Sequence, residues 1–456
     1  MSIASEITRI NNNIANAYTE CNNKGATMPQ TQNSTNLATT IASISGGSSV
    51  EIPEKDVNFY AYDGTVVASY TKNEFLALES LPANPTYDDL TSEGWNWTLS
   101  NAKTYVTEYG GLDIGDMCYT TDGTLKIYVT FTDPDRLSPY LGLNVNGTLT
   151  IDWGDNRTST LSGTSITVAK KIQHVYNSVG SYVITVTIPS NAAFRFINGV
   201  SGSGGYYSKL FTHTSATNSS SIMPYYLSCI TKILLPKSRD INLGENSLAG
   251  CDNLKCINLH TGINLQSGYI FYNCSSLKYI TISTSTNRIN NYVFTGTANL
   301  KRISLPKEVV SLYSYAFQCS GIERIWLSDD LSTMQSSVFA GYSTYTKNSL
   351  KKIVMPPNIT NIQSNLFYYQ TSLSTVEFKG DVTALNYATF QYCPSIRKMY
   401  FKNNTTVPTL NNSTFSGTSE VASDMKIIVP DNLYDSWKTT SNWSNYASFI
   451  FKESQE

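Results

Sequence analysis

The sequence predicts a mainly β protein of several domains, with a solenoid of stacked coils in its C-terminal half. Three observations lead to this prediction: a motif that recurs across residues 230–430, alternating apolar stretches with Asp-Gly turns before it, and isoleucines at helical spacing near the start. The 456 residues suffice for several domains with a large core. We divide the chain into an N-terminal helical segment (1–45), a first β module (46–140), a second β module (141–190), a bridge rich in Gly, Ser and Thr (191–229), and the repeat region with its cap (230–456).

The N-terminal segment predicts an oligomerisation helix. Ile3, Ile7, Ile10 and Ile14 follow one another at steps of four and three residues, which is the a/d seam of a coiled coil. Isoleucine at both positions favours three strands, so we expect a homotrimer with these four residues along its axis. The alternative is an amphipathic helix that packs on its own domain. A second short helix is predicted at residues 34–44.

The first β module begins with a hairpin around Asp63-Gly64, because Asp-Gly between alternating apolar runs is a strong hairpin signal. Two prolines then precede the pair Gly94-Trp95. This arrangement resembles the small β-grasp-like repeats of Gram-positive surface proteins, in which the tryptophan packs across the sheet. A helix is predicted at residues 100–109, and a second hairpin at Asp122-Gly123.

The second β module contains Trp153-Gly154-Asp155, followed by His174, Tyr176 and Tyr182. These residues resemble the polycystic-kidney-disease (PKD) β-sandwich domain, with Asn156 in place of its usual glycine. The resemblance implies that His174 has a structural hydrogen-bonding role and that the module is a spacer or adhesive unit rather than an enzyme.

The repeat region is defined by a recurring apolar opener and a phenylalanine that closes each unit. The openers are Leu254, Leu277, Leu300, Ile322, Leu350, Leu373 and Ile396; the closers are Phe271, Phe294, Phe317, Phe339, Phe367, Phe390 and Phe415. A period of 22–28 residues is typical of leucine-rich-repeat solenoids. With Leu305-Pro306 and Met355-Pro356 after the strands, the units resemble the BspA-type repeats of bacterial surface proteins and of phages that infect those bacteria.

Further features of the repeat region concern its packing and its ends. Regularly spaced cysteines (Cys251, Cys274, Cys319, Cys393) predict buried thiols rather than disulfides or metal ligands. The longest unit carries an insertion at 341–348, which we expect to protrude. A helix after Asp431 is expected to cap the last coil with Trp437 and Trp443, since an open stack exposes apolar surface.

Composition excludes several classes of function. A net charge of −2 argues against a nucleic-acid partner, and no apolar run is long enough to cross a membrane. The first twenty residues lack the pattern of a secretory signal. With three histidines and no recognisable catalytic or phosphate-binding motif, we expect no metal, no cofactor and no enzymatic activity.

One surface pattern suggests a binding site. The two positions after each opener hold nine basic residues and one acidic residue among fourteen, so stacking of the coils would align them in a positive ladder. The predicted ligand-binding residues are Lys278, Tyr279, Lys301, Arg302, Arg324, Trp326, Lys351, Lys352, Arg397, Lys398 and Tyr400. An anionic polymer would fit such a track; the alternative is a solvated face that protects the sheet from aggregation.

These features together predict a phage tail-fibre or receptor-binding protein. The N-terminal stretch, with its turn from Gly25 to Pro29, resembles tail-associated proteins in phages of gut Firmicutes. That resemblance implies a place in the virion tail, with other tail or baseplate proteins and a host-surface glycan or protein as partners. The alternative is a bacterial surface adhesin, located on the cell surface.

Overall fold

The computed structural model describes residues 11–19, 31, 54–196, 210–212, 226–237, 241, 243–342, 349–416 and 422–456, within two compact units, 1–55 and 56–456. In the first unit, residues 11–19 form a short helix (α1) in which Ile14 is half-buried and Tyr18 is buried. Ile3, Ile7, Ile10, the turn at 25–29 and the helix at 34–44 lie outside the described residues. The homotrimer therefore stays a prediction.

The second unit begins with a mixed four-stranded sheet. Its elements are β1 (Val57–Tyr60), β2 (Val66–Tyr70), α2 (Lys72–Leu76), β3 (Leu90–Trp95), α3 (Leu99–Tyr109) and β4 (Leu112–Thr120). The strand order is β2-β1-β4-β3, with β1 and β4 parallel. The hairpin at Asp63-Gly64 and the helix near 100–109 are confirmed. Trp95 packs edge-on against Phe59, as expected for a tryptophan that crosses the sheet. The β-grasp resemblance stays a prediction.

A second sheet follows, with seven strands. They are β5 (Leu125–Phe131), β6 (Tyr140–Asp152), β7 (Thr158–Gln173), β8 (Gly180–Thr187), β9 (Ala193–Phe196), β10 (Phe211–Thr212) and β11 (Ile230–Leu234). The main order is β10-β6-β8-β5-β11, and β7 and β9 also pair with β6. The sheet thus continues across the domain limits that the sequence suggested at 140, 190 and 229.

The predicted hairpin at Asp122-Gly123 is wrong. Strand β4 pairs with β1 and β3, whereas β5 pairs with β8 and β11. The turn itself forms, with Gly123 at a φ of 70° and the Asp122 carboxylate accepting a hydrogen bond from the Thr124 amide. The two flanking strands separate: Leu112 and Ile114 of β4 enter one core, whereas the buried side chains of β5 enter another. The turn therefore leads from one sheet to the next.

The Trp-Gly-Asp segment forms a compact structural cluster. The ring of His174 stacks on Trp153 at 4.5 Å, and its Nε2 lies 2.9 Å from Oδ2 of Asp155. The Tyr176 hydroxyl donates to the Trp153 carbonyl. Asn156, at the usual glycine position of the PKD motif, has a φ of 66°, which asparagine tolerates better than most residues. These contacts give His174 a structural role, while membership of the PKD family stays a prediction.

The repeat region is a parallel solenoid. In the six coils that begin with β13, β15, β17, β19, β21 and β23, a strand of three or four residues is followed by a shorter strand and a turn that carries the closing phenylalanine. The longer strands are β12 (Cys256–Asn258), β13 (Tyr279–Thr281), β15 (Arg302–Ser304), β17 (Arg324–Trp326), β19 (Lys352–Met355), β21 (Thr375–Phe378), β23 (Lys398–Tyr400) and β25 (Lys426–Val429). The two-residue strands are β14 (Arg288–Ile289), β16 (Ser311–Leu312), β18 (Thr333–Met334), β20 (Asn361–Ile362), β22 (Ala384–Leu385) and β24 (Thr409–Leu410).

The closing phenylalanines stack in one continuous column through the core. Consecutive rings from Phe271 to Phe415 lie 5.3–5.8 Å apart, and their planes are within 12° of parallel. All seven rings are buried. The four regularly spaced cysteines are buried, as predicted. The regular spacing of phenylalanine in the sequence thus corresponds to one stacked ring in each of these seven coils.

Both ends of the solenoid are covered. Strand β11 belongs to the seven-stranded sheet and also leads into the first coil, so the two share one hydrophobic core. At the other end α4 (Tyr434–Thr439), a following 3-10 segment and β26 (Ile450–Lys452) bury Trp437 and Trp443 completely, which confirms the predicted cap. Of the insertion at 341–348, residues 343–348 lie outside the described part. No helix in the described residues is both long and apolar enough to cross a membrane.

Candidate functional site

The longer strands of the solenoid present two rows of side chains outward. The first row, which we call the entry row, is Cys256, Tyr279, Arg302, Arg324, Lys352, Thr375 and Lys398. The second, the outer row, is Asn258, Thr281, Ser304, Trp326, Val354, Glu377 and Tyr400. Strand register aligns neighbouring members, for example Val354 with Glu377 and Glu377 with Tyr400. Together the two rows form the strand face.

The four-stranded sheet and its two helices (residues 57–120), which we call the first module from here on, cover the early part of this strand face. Thr281 is 1% exposed and Ser304 is 8% exposed, although both belong to the outer row. Gly115 of β4 lies so close that a Cβ there would sit 2.5 Å from the Tyr279 hydroxyl and 2.6 Å from Oγ1 of Thr281. The four-stranded sheet therefore packs directly on the coils that hold β12, β13 and β15.

Buried polar contacts fix this packing. The side chain of Asn258 accepts a hydrogen bond from the Cys118 amide and donates to the Asp116 carbonyl, so it pairs with the β4 backbone. Asn96 donates to the Ile282 carbonyl at 3.1 Å while it accepts from the Gly115 amide. An unpartnered buried amide costs about 1–3 kcal/mol, so these asparagines specify a single docked position.

Helix α3 makes the contact nearest the uncovered coils. The Tyr105 hydroxyl donates to the Leu327 carbonyl at 2.9 Å, and the Tyr109 hydroxyl hydrogen-bonds the carboxylate of Asp329. Burial raises the pKa of Asp329, and burial and this hydrogen bond raise the pKa of Tyr109. The Tyr109 phenol therefore keeps its proton at neutral pH and donates a hydrogen bond to Asp329.

Where the first module ends, a cleft of about 530 Å³ opens between it and the solenoid. One wall is Asp56, Tyr105, Tyr109, Gly110 and Gly111; the other is Arg302, Glu323, Arg324, Ile325, Trp326, Leu327, Lys351, Lys352 and Val354. Gly110 ends α3 with a φ of 81°. A Cβ on Gly111 would lie 2.8 Å from the Asp56 carbonyl oxygen and 3.7 Å from Nε1 of Trp326. A larger residue at this position would therefore collide with the Asp56 backbone.

The cleft collects five of the eleven predicted binding residues. Arg302, Arg324, Trp326, Lys351 and Lys352 all line it. Lys301 lies at its margin and pairs with Glu323 at 3.1 Å. Tyr279 instead packs under the first module, with its ring 5.0 Å from that of Tyr60. Lys278 is exposed and is not among the residues that line the cleft.

The lining of the cleft has an excess of positive charge. Four cations (Arg302, Arg324, Lys351 and Lys352) stand against two carboxylates (Asp56 and Glu323), which leaves a formal charge of +2. Hydrogen bonds from Lys301 and Lys351 lower the pKa of Glu323, so its charge persists at neutral pH. The side chains of Lys351 and Lys352 remain 69% and 60% exposed despite their ion pairs. They are therefore accessible to a ligand.

The ladder ends in a nearly neutral region. Lys398 and Lys402 both pair with Glu456, and the Tyr400 hydroxyl donates to the same carboxylate at 2.6 Å. These contacts lower the pKa of Glu456. Arg397 pairs with Asp424 at 2.9 Å. The predicted residues Arg397, Lys398 and Tyr400 are thus engaged with carboxylates of the C-terminal coils, which weakens their attraction for an anionic ligand.

Sequence reasoning missed the wall that the first module supplies. Tyr105 and Tyr109 lie about two hundred residues before the strands they face, and the only local signal was Gly110-Gly111 directly after a helix. A buried carboxylate elsewhere, Asp116, accepts hydrogen bonds from Asn84 and Tyr87 and serves the packing of the first module. Among the described residues no group of His, Cys, Asp or Glu is arranged to hold a metal ion.

Comparison with protein families matches the repeat region. The model for the BspA type leucine rich repeat region matches residues 222–346 and 341–435, in six copies. A comparison with curated proteins finds no match for the chain.

Solved structures of leucine-rich repeat proteins resemble part of the chain. A leucine-rich repeat protein from Bacteroides ovatus is 19% identical with a TM-score of 0.27, and the match covers 42% of this chain and 59% of that one. The T. pallidum leucine-rich repeat protein is 22% identical with a TM-score of 0.31, covering 45% of this chain and 85% of that one. A leucine-rich cell surface protein from Faecalibacterium prausnitzii is 18% identical with a TM-score of 0.26, covering 47% and 63%. The match therefore spans less than two thirds of two of these three proteins.

Proposed function

Because residues 222–435 form a BspA-type leucine-rich repeat region, a type of repeat typical of bacterial surface proteins and adhesins, we propose that this chain is a non-enzymatic surface-recognition protein. Its ligand is an acidic cell-surface glycan, whose carboxylate or phosphate group enters the cleft between the first module and the solenoid. One observation carries this proposal: four cations and an indole line one accessible cleft of about 530 Å³.

The chemistry of the lining fits an acidic sugar. Guanidinium groups bind carboxylate and phosphate oxygens through two parallel hydrogen bonds, so Arg302 and Arg324 would fix the orientation of the acid group. Lys351 and Lys352 add positive charge without a strict geometry. The half-buried ring of Trp326 offers an apolar surface for the sugar itself. A neutral sugar would leave the excess positive charge uncompensated.

The direct test is a double substitution, Arg324→Gln with Lys352→Gln. We expect affinity for a polyuronate such as polygalacturonate to fall about tenfold, because two charge-assisted contacts to the acid group are lost. Isothermal titration of the full chain measures the change. Lys307→Gln is the matched control, since Lys307 is an exposed solenoid lysine outside the cleft. Equal affinity for polygalacturonate in the double variant and the control would refute the cleft as binding site.

A second substitution, Glu323→Gln, is expected to act in the opposite direction. It removes one of the two carboxylates and releases Lys301 and Lys351, so affinity for a sulfated polysaccharide should rise about three- to fivefold at low ionic strength. Because the pKa of Glu323 is lowered in the fold, its ion pairs persist at neutral pH and are lost as the pH falls through that lowered value. The native chain should therefore bind dextran sulfate more tightly in acid. Glu323→Gln should remove this part of the pH dependence; an unchanged pH profile would exclude Glu323 as its source.

We propose two alternative biological settings for this recognition, a bacterial cell surface and a phage tail fibre. A bacterial cell-surface location agrees with the type of repeat. The phage tail-fibre role rests on the spacing of Ile3, Ile7, Ile10 and Ile14, of which only Ile14 lies in a described helix. Light scattering after size exclusion separates the two proposals, since the fibre requires a trimer and the chain has a mass of 50.4 kDa. A monomer at micromolar concentration would count against the fibre.

A further inference from the structure

A second surface of the solenoid, away from the strand face, is rich in tyrosine. It lies on the turns that carry the closing phenylalanines, and we call it the tyrosine face: Tyr269, Tyr272, Tyr292, Tyr315, Tyr342, Tyr368, Tyr369, Tyr387 and Tyr392. The rings of Tyr269, Tyr292 and Tyr315 stack at 4.5 and 4.6 Å, with planes within 12° of parallel. Tyr369 and Tyr392 form a second stack at 4.2 Å. The hydroxyls in each stack thus recur once per coil.

The backbone under the first stack does not favour tyrosine. Tyr269, Tyr292 and Tyr315 precede the closing phenylalanine by two residues and have φ values of 56°, 58° and 63°. This left-handed region is unusual for a bulky side chain, whereas asparagine adopts it more readily. The equivalent positions of four other coils are Asn246, Ser337, Asn365 and Ala388, all with positive φ. Backbone geometry alone therefore does not account for three successive tyrosines.

The surroundings of the tyrosine face are polar but almost uncharged. Beside the stacks, Ser314 hydrogen-bonds Gln335, and Gln391 donates to Ser416. At one end of the face, burial and the nearby carboxylate of Glu245 raise the pKa of Tyr269. Burial and the neighbouring tyrosines raise the pKa of Tyr292 to about 12, so its phenol is neutral at physiological pH. Apart from Glu245, the described residues of this face therefore offer little charge to a strongly charged partner.

Two further tyrosines extend the face toward solvent. Tyr342 is 48% exposed and Tyr387 is 53% exposed, and they are the most exposed large hydrophobic side chains in the described part of the solenoid. No large aliphatic side chain among the described residues of the solenoid is similarly exposed, so this face does not resemble the apolar centre of a protein interface. Exposed aromatic rings offer apolar area, while each phenol both donates and accepts hydrogen bonds.

We propose that the tyrosine face binds a neutral polysaccharide chain that runs along the solenoid axis. Hydroxyl groups of the sugars would exchange hydrogen bonds with the row of phenols, and the apolar sides of the sugar rings would pack on Tyr342 and Tyr387. The coil spacing of about 4.8 Å is close to the length of one hexose unit in an extended chain, so successive coils meet successive sugars. This site is separate from the cleft and takes a ligand of a different class.

The test uses Tyr292→Asn with Tyr315→Asn in the full chain. Native gel electrophoresis through gels that contain a neutral polysaccharide (dextran, soluble starch or galactomannan, each in turn) reports binding as retardation. We expect the native chain to be retarded by at least one of them and the double variant to bind about tenfold more weakly. Since asparagine suits the left-handed backbone, the melting temperature should stay the same or rise.

Two further variants keep the proposal open to refutation. Tyr387→Ser removes an exposed ring at an ordinary backbone position, so it should weaken binding without loss of stability. Arg324→Gln with Lys352→Gln should leave neutral-polysaccharide binding unchanged, which separates this site from the cleft. The proposal is overturned if no neutral polysaccharide retards the native chain, or if all the tyrosine variants bind as the native chain does. It is also overturned if the double asparagine variant melts lower while Tyr387→Ser binds normally, because the stack would then be structural.

Discussion

Replacement of Phe317 by alanine is expected to lower the free energy of unfolding of the solenoid by about 3–5 kcal/mol. Phe317 is 1% exposed and its ring stacks between Phe294 at 5.3 Å and Phe339 at 5.6 Å. Removal of the ring leaves a cavity in the middle of the column, and each coil is stabilised mainly by its neighbours. Urea denaturation followed by circular dichroism measures the loss.

The matched control is Tyr387→Ala. It removes an aromatic ring of similar size from the same solenoid, but from a position that is 53% exposed. We expect a change within about 0.5 kcal/mol. A loss of less than about 1 kcal/mol for Phe317→Ala would mean that the neighbouring coils collapse into the space, and the Phe column would then not be the main support of the stack.

The solenoid could be predicted because its information is local and repeated. Each opener and closing phenylalanine recurs after one coil, and parallel stacking brings equivalent residues together without any further choice. The cap followed from the same logic, because the last coil needs an apolar cover. Every buried ring in the Phe column was therefore visible in the spacing of one residue type.

The candidate site could be predicted only in part, because its two walls come from distant segments. The Tyr105 hydroxyl bonds a carbonyl 222 residues later, and Asn258 bonds an amide 140 residues before it. No periodicity connects such positions. The sequence pattern therefore indicated that the strand face is polar and basic, but not that the first module covers Thr281 and Ser304.

The basic ladder shows a second limit of sequence reasoning. Its cations were counted by position after each opener. Glu323 was the one carboxylate within that count, whereas the partners Glu377, Asp424 and Glu456 occupy positions outside it. Glu456 follows the last coil, and Asp424 lies between coils, yet both reach ladder residues. Exposed ion pairs are worth only about 0–1 kcal/mol in stability, but they decide where positive charge is left for a ligand. The remaining charge concentrates at Arg302, Arg324, Lys351 and Lys352.

The docking of the first module itself depends on the absence of one side chain. Gly115 faces Tyr279 and Thr281, and β4 contributes the backbone groups that bond Asn258. Interiors pack as tightly as crystals, so an added methyl group here must move a strand or two side chains. Because the same module supplies one wall of the cleft, its position on the strand face and the shape of the candidate site are linked.

Gly115→Ala is accordingly expected to shift the first module off the strand face, at a cost of about 1–3 kcal/mol from overpacking. The cleft should widen and lose affinity for polygalacturonate by about tenfold or more, while hydrogen exchange should quicken in β4 and α3 and stay slow in the Phe turns of coils remote from β4. The matched rescue is Gly115→Ala with Tyr279→Phe and Thr281→Ala, because these changes remove the three atoms that the new Cβ would meet. Slow exchange should return with the rescue. Slow exchange in Gly115→Ala itself would show that the module does not depend on this close approach.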